Sequence, residues 1–599
     1  MRLHRRLLAS TLLATAGLVS PLSVSAQHAA PSSGVQLADL SVKDAMGGDL
    51  EAEKASAIQD LILDEWLEDE LGHEVEAGVL TTVRAAYAQN VFKPIWTQKG
   101  IQSLKRARND LFSYGLAASD VSQANLDTIA DQRLTGETDA IRATADLRLT
   151  AAWLRMASAV SGGLSDNGEA VDPETDAPVM SMVQASLIQA ARGDADDTLA
   201  DLEPDHPQYD RLKRQLKYYR EIRADGGWLA IPEGDAIEPG DEDPRIPALR
   251  DRLIAENYLA AETWAGDLLS TISLAANEES DADTSEIRYT DHLAEAVETF
   301  QRRHGLEADG IVGGRTLEAL NESVESKIDR IADTMTRWRQ YDDLGSQYIW
   351  ANIPSFMAEG WRNGRREIAM KTIVGMPSRE TPVFSDEVEY AVANPRWYAP
   401  VSIVRKDKLP KLANDPTYAS RKNFTVIDRA TGQSVPASSV DWTDPAAATE
   451  YQLIQGPGAS NALGDLKIIF PNQYSVYLHG TPGKRLFERA QRTFSSGCVR
   501  LERPEDMARW LAAHDPEVSA RDVSEALEGA TPERIDFKSE TRIHITYMTV
   551  TVNEDGEAHF WRDVYHEEDG IMMVDKYAPL YQPASDEELA QAEPAPRKG

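Results

Sequence analysis

Cys498 is the only cysteine in this chain of 599 residues, and it lies in a glycine-hinged turn, 495–500, downstream of His479. A cysteine attacks as the thiolate, and an imidazole can take its proton. The backbone amides of Gly497 and Cys498 could then face the oxyanion of an acyl intermediate. These residue types, in this order, predict acyl transfer with Cys498 as the nucleophile.

A structural interpretation of the same residues has to be weighed. A free cysteine is more often a small buried residue, and a lone histidine is more often a satisfied polar group. However, the glycine before the thiol and the hydroxyl residues Ser495 and Ser496 are poor choices for filling a core, which favours catalysis. The two serines either donate to a substrate or cap the turn.

The segments on either side of this turn predict how it is held. Residues 474–479 alternate as a strand would, and the histidine is at the end of that strand. After the turn, Pro504 suits a first helical position, and Met507, Trp510 and Leu511 fall on one helix face. Cys498 is therefore expected between strands and a helix.

Five further segments accompany the histidine and the Ser-Ser-Gly-Cys-Val-Arg turn. In chain order they are 348–354, 374–382, 394–400, 405–410 and 455–464. Together these segments resemble the YkuD-type catalytic domain of L,D-transpeptidases, bacterial cell-wall enzymes, and in particular their long, multi-domain YcbB-like branch. Enzymes of that branch cross-link peptidoglycan stem peptides.

The resemblance implies a role for each matched residue. Cys498 is the nucleophile, and His479 is the base that activates it and later protonates the leaving amine. The amides of Gly497 and Cys498 stabilise the oxyanion. The other imidazole nitrogen needs an acceptor to fix its tautomer, and the main-chain carbonyl of Gly480 is the candidate for that role.

Three more residues are candidates for substrate binding. Arg500 either holds a substrate carboxylate or orients the cysteine turn, with a structural ion pair as the alternative. Tyr477 and Trp397 either line the acyl site or belong to the core, as aromatic residues on strands commonly do.

The N-terminus predicts export. A basic start and an apolar stretch over 7–19 precede a small-residue site, so we expect a signal peptide at 1–26, cleaved after Ala26. An uncleaved anchor is the alternative. A periplasmic location follows, where a single cysteine cannot form an intramolecular disulfide and its retention needs a reason such as catalysis.

The composition argues against several other classes of function. A formal net charge of −36 disfavours nucleic acid as a partner. No His/Cys cluster or His-Glu-x-x-His pattern is present, so we expect neither a metal nor another cofactor. The partner that the resemblance implies is peptidoglycan, with other cell-wall enzymes as further candidates.

The chain is expected to be a multi-domain α+β protein. The segment 296–317 resembles the small three-helix peptidoglycan-binding domain, and a segment poor in strand pattern at 402–451 corresponds to a capping insertion in the long family branch. A hairpin signal at 553–556 predicts two late strands that complete the catalytic sheet. The predicted parts are a flexible leader 27–55, a helical scaffold domain 56–230, a linker 231–244, a peptidoglycan-binding-like domain 245–322, a β-rich catalytic domain 327–574 and a disordered tail 583–599.

The reaction implied by the resemblance is a 3→3 cross-link that is formed through a cysteine thioester with release of D-alanine. It would serve cell-wall biogenesis and cell shape, and would make the enzyme a carbapenem target. Three alternatives stay open: hydrolysis as an L,D-carboxypeptidase or peptidase, a non-catalytic peptidoglycan-binding scaffold, and attachment of lipoproteins or exchange of D-amino acids.

Overall fold

The computed structural model describes residues 57–63, 77–116, 125–162, 186–260, 286–341 and 344–566. The chain divides into two compact units, Met1–Asp205 and His206–Gly599. The predicted signal peptide, leader and tail, the end of the catalytic domain beyond 566 and the segment 261–285 of the peptidoglycan-binding-like domain lie outside the described residues. Among the described helices, none has the length and apolar character needed to span a membrane.

The first unit is helical in its described part. Its longest helix, Asp139–Ser161, begins at Thr138, whose side chain accepts from the amide of Ile141, and ends at Gly162 with a φ of 89°. The α-helices are Ala57–Leu63, Ala77–Gln89, Gln98–Asn109, Leu126–Thr135, Asp139–Ser161 and Ala195–Ala200, with a 3₁₀ turn at Leu111–Tyr114 and a π-helical turn at Ala190–Asp194. Apolar side chains shared among these helices form one core.

The helix Pro207–Ala224 belongs to a different unit from the one that we expected. We expected it within the helical scaffold ending at 230, but the structure assigns it to the second unit. Its buried Leu212 and Leu216 share a core with Ile331 of the helix Val324–Trp338. The sequence period predicts that the helix buries one face, but it does not say which element covers that face.

A small helical subdomain follows in the second unit. Its helices, Ile246–Ala255, Asp291–Arg303 and Gly314–Leu320, share a core. Ile231 and Ile237 are buried in the same core, and Ile237 forms a β-bridge with Val312. The expected linker 231–244 is therefore packed against this subdomain, because its two isoleucines bury apolar surface there.

A buried charge cluster ties this subdomain to the next helix. The Nζ of Lys327 in Val324–Trp338 lies 2.7 Å from Glu256 and 3.0 Å from the Nε2 of His304. Glu256 also forms an ion pair with Arg252. Burial alone would raise the pKa of Glu256, but the charges of Lys327 and Arg252 hold that pKa well below its usual value. Burial lowers the pKa of Lys327 to about 8.

The remainder of the second unit is built on strands. In chain order they are β1 Gln347–Asn352, β2 Met357–Arg362, β3 Arg365–Gly375, β4 Phe384–Glu387, β5 Tyr390–Ala393, β6 Trp397–Tyr398, β7 Phe424–Asp428, β8 Ser434–Val435, β9 Tyr451–Gln455, β10 Leu466–Ile469, β11 Leu478–His479, β12 Thr493–Ser495, β13 Val499–Leu501, β14 Glu533–Asp536, β15 Arg542–Thr546, β16 Val550–Val552 and β17 Ala558–Phe560.

Within the described residues, eleven of these strands form one mixed sheet in the order β14-β5-β10-β11-β13-β3-β2-β1-β15-β4, with β12 paired to β3. Alternate residues of its central strands, among them Leu466, Leu478 and Val499, enter a core with the helices Pro504–Ala512 and Ala520–Glu528. Because side chains alternate along a strand, the residues between them face the other side of the sheet. The candidate catalytic residues lie on that other side.

Two predictions about strands need correction. The late strands were expected at 543–552 and 558–564; the first begins as β15, which joins the large sheet between β1 and β4, but its second part, β16, pairs only with β17 and does not extend that sheet. The insertion 402–451 contains β7 and β8, which join β6 and β9 in a four-stranded sheet with its own core, although its sequence looked poor in strands. Its short helices are Val401–Ile403, Leu409–Asn414, Thr417–Arg421 and Ala447–Glu450, with a π-helical turn at Val404–Lys408 and a 3₁₀ turn at Ala437–Ser439.

Candidate active site

Strand pairing places three polar side chains in a row on one face of the sheet. In the antiparallel pair β10/β11, Lys467 is directly opposite His479. In the parallel pair β11/β13, His479 is opposite Arg500. Cross-strand partners lie about 5 Å apart on the same face. Cys498 is two residues before Arg500, so it approaches from the same face.

His479 is held in one tautomer. Its Nδ1 lies 2.5 Å from the carbonyl oxygen of Gly480. A carbonyl can only accept, so Nδ1 carries the hydrogen, and in the neutral ring Nε2 keeps its lone pair. Burial, and then the charge of Arg500, lower the pKa of His479 to about 3. The imidazole is therefore neutral at physiological pH, and Nε2 can accept a proton.

The Cys498 thiol is also neutral in the resting protein. Burial raises its pKa to about 11, and hydrogen bonds from Tyr477 and the charges of Arg500 and Lys467 oppose that rise only in part. The Sγ makes a weak contact of 3.8 Å with the carbonyl oxygen of Ser475. The site thus holds a neutral thiol and a neutral imidazole, not a preformed ion pair.

The turn that carries Cys498 depends on Ser495. The Ser495 hydroxyl donates to the carbonyl of Cys498 at 2.5 Å and accepts from the amide of Gly497 at 3.1 Å. Gly497 has a φ of 116°, a conformation that residues with a side chain rarely adopt. Its carbonyl accepts from the hydroxyl of Thr381 at 2.7 Å. The backbone of the turn is therefore fixed by two hydroxyl side chains.

These contacts correct one part of the expected oxyanion hole. The Gly497 amide was expected to face the oxyanion, but it already donates to Ser495. The Cys498 amide donates to no acceptor within the part of the chain that the structure describes. Cys498 therefore keeps a free backbone donor beside its own thiol, and Gly497 does not.

The structure separates the expected substrate-binding residues into two groups. Ser495 is buried in the turn, and Ser496 accepts from Arg379 at 2.9 Å, so both serve the loop. Trp397 is buried in the core of the capping insertion, which agrees with the alternative that it belongs to a core. These placements favour the structural alternatives for all three expected residues.

Tyr477 and Arg500 are in contact with the site. The Tyr477 ring centroid lies 5.5 Å from that of His479, and its hydroxyl and amide act on the thiol. Arg500 is half-buried, and its Nε is buried without a hydrogen-bond partner in the described structure. No described carboxylate is among the groups that influence the pKa of Arg500, which argues against the ion-pair alternative.

Several residues that hold the site were missed by the sequence analysis. Asn472 accepts from the amides of Tyr474 and Val476 and donates to the carbonyl of Phe470, which shapes the turn before β11. An Asx residue in a turn is a recognisable signal for such a role. Thr381 had no comparable signal, because it reaches the cysteine turn from far along the chain.

Arg379 links the cysteine turn to the capping insertion. It forms two hydrogen bonds to the carboxylate of Asp407, at 2.7 and 2.9 Å, and a third to Ser496. These hydrogen bonds, and then the positive charge of Arg379, lower the pKa of Asp407. The insertion is therefore anchored beside the candidate nucleophile by a bidentate ion pair, a geometry that is specific as well as favourable.

Within the described ranges, no group of three or more histidine, cysteine or carboxylate side chains could hold a metal ion. The polar groups of the site are instead suited to proton transfer and to binding an anion. They comprise one thiol, one neutral imidazole, two cations and a free amide.

Comparisons with known proteins agree with this geometry. Residues 346–535 match the family model of the L,D-transpeptidase catalytic domain (YkuD). Residues 81–216 match a scaffold domain, and residues 280–320 match a "Putative peptidoglycan binding domain". The chain is therefore a multi-domain α+β protein with an L,D-transpeptidase catalytic domain, as the sequence motifs predicted.

One curated relative is a "Putative L,D-transpeptidase" from Haemophilus influenzae, which is 32% identical over 244 residues. The match covers 41% of this chain, and the chain spans about half, 49%, of that relative. A crystal structure of an L,D-transpeptidase from Xylanimonas cellulosilytica aligns with 53% of this chain and 99% of its own, at 14% identity and a TM-score of 0.15.

Proposed function

We propose that this protein is a periplasmic cysteine L,D-transpeptidase that cross-links peptidoglycan stem peptides through a Cys498 thioester. The observation that carries the proposal is the strand register, which sets His479 opposite Arg500, two residues after Cys498, with the His479 tautomer fixed by Gly480, within the segment that matches the catalytic domain family. A neutral imidazole with a free Nε2 is the form that a general base requires.

In the first half-reaction, Cys498 Sγ attacks the carbonyl at the L-centre of the third residue of a tetrapeptide stem. The thiol proton passes to Nε2 of His479 as the S–C bond forms. The C–N bond to the terminal D-alanine then breaks, and His479 returns the proton to the departing amine. A thioester and free D-alanine result.

In the second half-reaction, the side-chain amine of a diamino acid in a neighbouring stem attacks the thioester. His479 takes a proton from that amine, the S–C bond breaks, and the thiolate of Cys498 recovers its proton. The product is a 3→3 cross-link. The neutral pair in the resting site suits this sequence, because no charge separation exists before the substrate is bound.

The free Cys498 amide is the donor for the oxyanion in both half-reactions. A backbone donor aimed at the developing charge commonly changes the rate by about 10²–10³-fold. The Gly497 amide is occupied by Ser495 in the resting turn, so we expect another group to supply a second donor when the substrate is bound. The Tyr477 hydroxyl, which lowers the pKa of the thiol, is the candidate side-chain donor.

The match to a peptidoglycan-binding domain supports peptidoglycan as the substrate. A periplasmic location rests on the export signal at 1–26. Both support a location where stem peptides occur, and the acceptor amine would come from the same polymer.

The direct test uses mature protein with purified disaccharide-tetrapeptide, and resolves the products by mass spectrometry. Wild type is expected to form a dimer that lacks one alanine, while Cys498→Ala and His479→Gln form none. His514→Gln is the matched control, because His514 pairs with Glu367 away from the site. A monomeric tripeptide from wild type would establish a carboxypeptidase instead, and unchanged substrate would favour the scaffold alternative.

A second test follows from the thioester chemistry. A carbapenem should acylate wild type by one molecule per chain, detected as a mass increase on the intact protein. The increase should be absent in Cys498→Ala, which holds no other thiol. Acylation of that variant would show that another residue is the nucleophile.

A further inference from the structure

Lys467 is a buried cation for which the proposed reaction has no role yet. It lies on β10, directly opposite His479, and only 9% of its surface is exposed. The residues on either side of it in the strand, Leu466 and Ile468, face the core, so Lys467 faces the catalytic side. Burial lowers its pKa to about 8.

The charge of Lys467 is not compensated by the described part of the protein. The groups that act on it are the Arg534 cation and the Cys498 thiol, and no carboxylate is among them. The Lys467 Nζ makes no hydrogen bond to any described residue, and it lies 5.8 Å from the centroid of the Tyr477 ring. The side chain is largely buried but its Nζ is not fully enclosed, so the ammonium is only partly hydrated and has no described anion beside it, which is costly.

Arg500, across His479 from Lys467, has the same deficit. Its buried Nε has no partner within the described ranges. The titratable groups that act on it are Cys498 and Tyr477, again without a carboxylate. The nearby Asp407 is already engaged by Arg379 through two hydrogen bonds. Two cations therefore flank the catalytic histidine with no anion between them.

We infer that Lys467 and Arg500 form a subsite for a carboxylate of the donor stem. The inference rests on the proposed function, because it names the group of that substrate which the cations recognise. The strand register sets its geometry: each cation is one strand from His479, about 5 Å away in the sheet. A terminal carboxylate lies about 4 Å from the carbonyl carbon that Cys498 attacks.

Two carboxylates of a tetrapeptide donor have this chemistry. One is the C-terminal carboxylate of the D-alanine that leaves, and the other is the carboxylate at the D-centre of the diamino acid. Arg500 presents a planar, bidentate donor and Lys467 a point charge, a combination that suits a carboxylate. Such a subsite would select a stem that ends one residue after the acylated centre.

The test measures binding without turnover, in the full chain with Cys498→Ala. Isothermal titration with disaccharide-tetrapeptide compares Lys467, Lys467→Met and Lys467→Arg. Lys467→Met should weaken binding about tenfold, and Lys467→Arg should restore most of the affinity, because the lost contact is a charge-assisted hydrogen bond. Lys371→Met is the matched control, since Lys371 is an exposed lysine of the same sheet.

Two amidated ligands identify the carboxylate. One has a C-terminal carboxamide, and the other has a carboxamide at the D-centre of the diamino acid. On the protein with Lys467, the ligand that lacks the recognised carboxylate should bind about tenfold more weakly than the parent ligand. On Lys467→Met, that ligand and the parent ligand should bind equally well. Such coupling would not arise if Lys467 only supported the fold.

The inference is wrong if neither amide shows a loss that depends on Lys467, or if Lys467→Met binds the parent ligand normally. If neither amide binds more weakly than the parent ligand to the Cys498→Ala protein with Lys467 intact, the inference is refuted without use of the methionine variant. If wild type cross-links stems and no coupling is found, the subsite fails alone. If coupling is found without turnover, the subsite stands and the proposed reaction fails.

Discussion

Alkylation of Cys498 reports directly on the protonation state of the site, because the chain has no other thiol. Burial raises its pKa to about 11 from an ordinary value of 9.0. At pH 7 this leaves roughly 100-fold less thiolate than in a free thiol. A more basic thiolate is intrinsically more reactive by roughly tenfold over two pKa units. The net expectation is labelling about tenfold slower than that of a free thiol at pH 7.

The assay is the rate of iodoacetamide labelling from pH 5 to 10, followed by intact-protein mass. The logarithm of the rate should rise by about one per pH unit without a plateau, because the thiolate fraction rises in that way below the pKa. His479→Gln should follow wild type closely, since the imidazole is neutral over this range. Arg500→Gln should label more slowly than wild type, because the Arg500 charge lowers the pKa of the thiol.

The outcome that would refute this account is a plateau of fast labelling between pH 5 and 8 that is lost in His479→Gln. Such a plateau is the signature of a preformed thiolate–imidazolium pair, as in cysteine proteases with a histidine-paired thiol. It would require the pKa of Cys498 to lie far below 9.0. It would also mean that the site is charged before substrate is bound.

Three further predictions concern stability. Ser495→Ala removes both hydrogen bonds that the Ser495 hydroxyl makes in the cysteine turn and should cost about 1–3 kcal/mol in urea unfolding, with a larger relative loss of turnover. Unchanged stability would show that the turn does not need this hydroxyl. Gly497→Ala should cost about 1–3 kcal/mol because of its φ of 116°, measured in the same way, and a neutral effect would contradict the strain. Lys327→Met should cost about 3–5 kcal/mol because it removes a partner of the buried Glu256, whereas Lys371→Met should stay within about 0.5 kcal/mol in the same assay.

The sequence predicts Cys498 and His479 as the reactive residues because a cysteine occurs only once in this chain. A lone cysteine after Gly497, downstream of a histidine, has few structural explanations. The contact from Nδ1 of His479 to the carbonyl of Gly480 was expected from a general need, since an imidazole used as a base must have its other nitrogen occupied. The catalytic roles themselves stay predictions that the product analysis tests.

Residues that act through tertiary contacts could not be predicted in this way. Lys467 becomes a neighbour of His479 only through the register of β10 and β11, which a single sequence does not specify. Trp397 is of a residue type that is common in binding sites, but it packs in the core of the insertion. Whether an aromatic residue lines a site or fills a core depends on its neighbours in the fold, and the local sequence pattern does not specify those neighbours.

The same limit explains the domain boundary. The helix Pro207–Ala224 has a clear apolar face, and helical periodicity extends from the scaffold region into it without a break in type. Its partner, Val324–Trp338, lies a hundred residues further along the chain. Assignment to one unit or the other depends on that contact, and periodicity alone favoured the nearer helices.

The carboxylate subsite also has a consequence for the base. Burial and then the charge of Arg500 lower the pKa of His479, and Lys467 acts in the same direction. A carboxylate bound between the two cations would compensate both charges, so the pKa of His479 would rise towards its ordinary value. A higher pKa makes the imidazole a stronger base for the thiol proton. Binding of the correct donor would thus strengthen the base only when a carbonyl is in position, and the resting thiol would stay protonated and protected from oxidation.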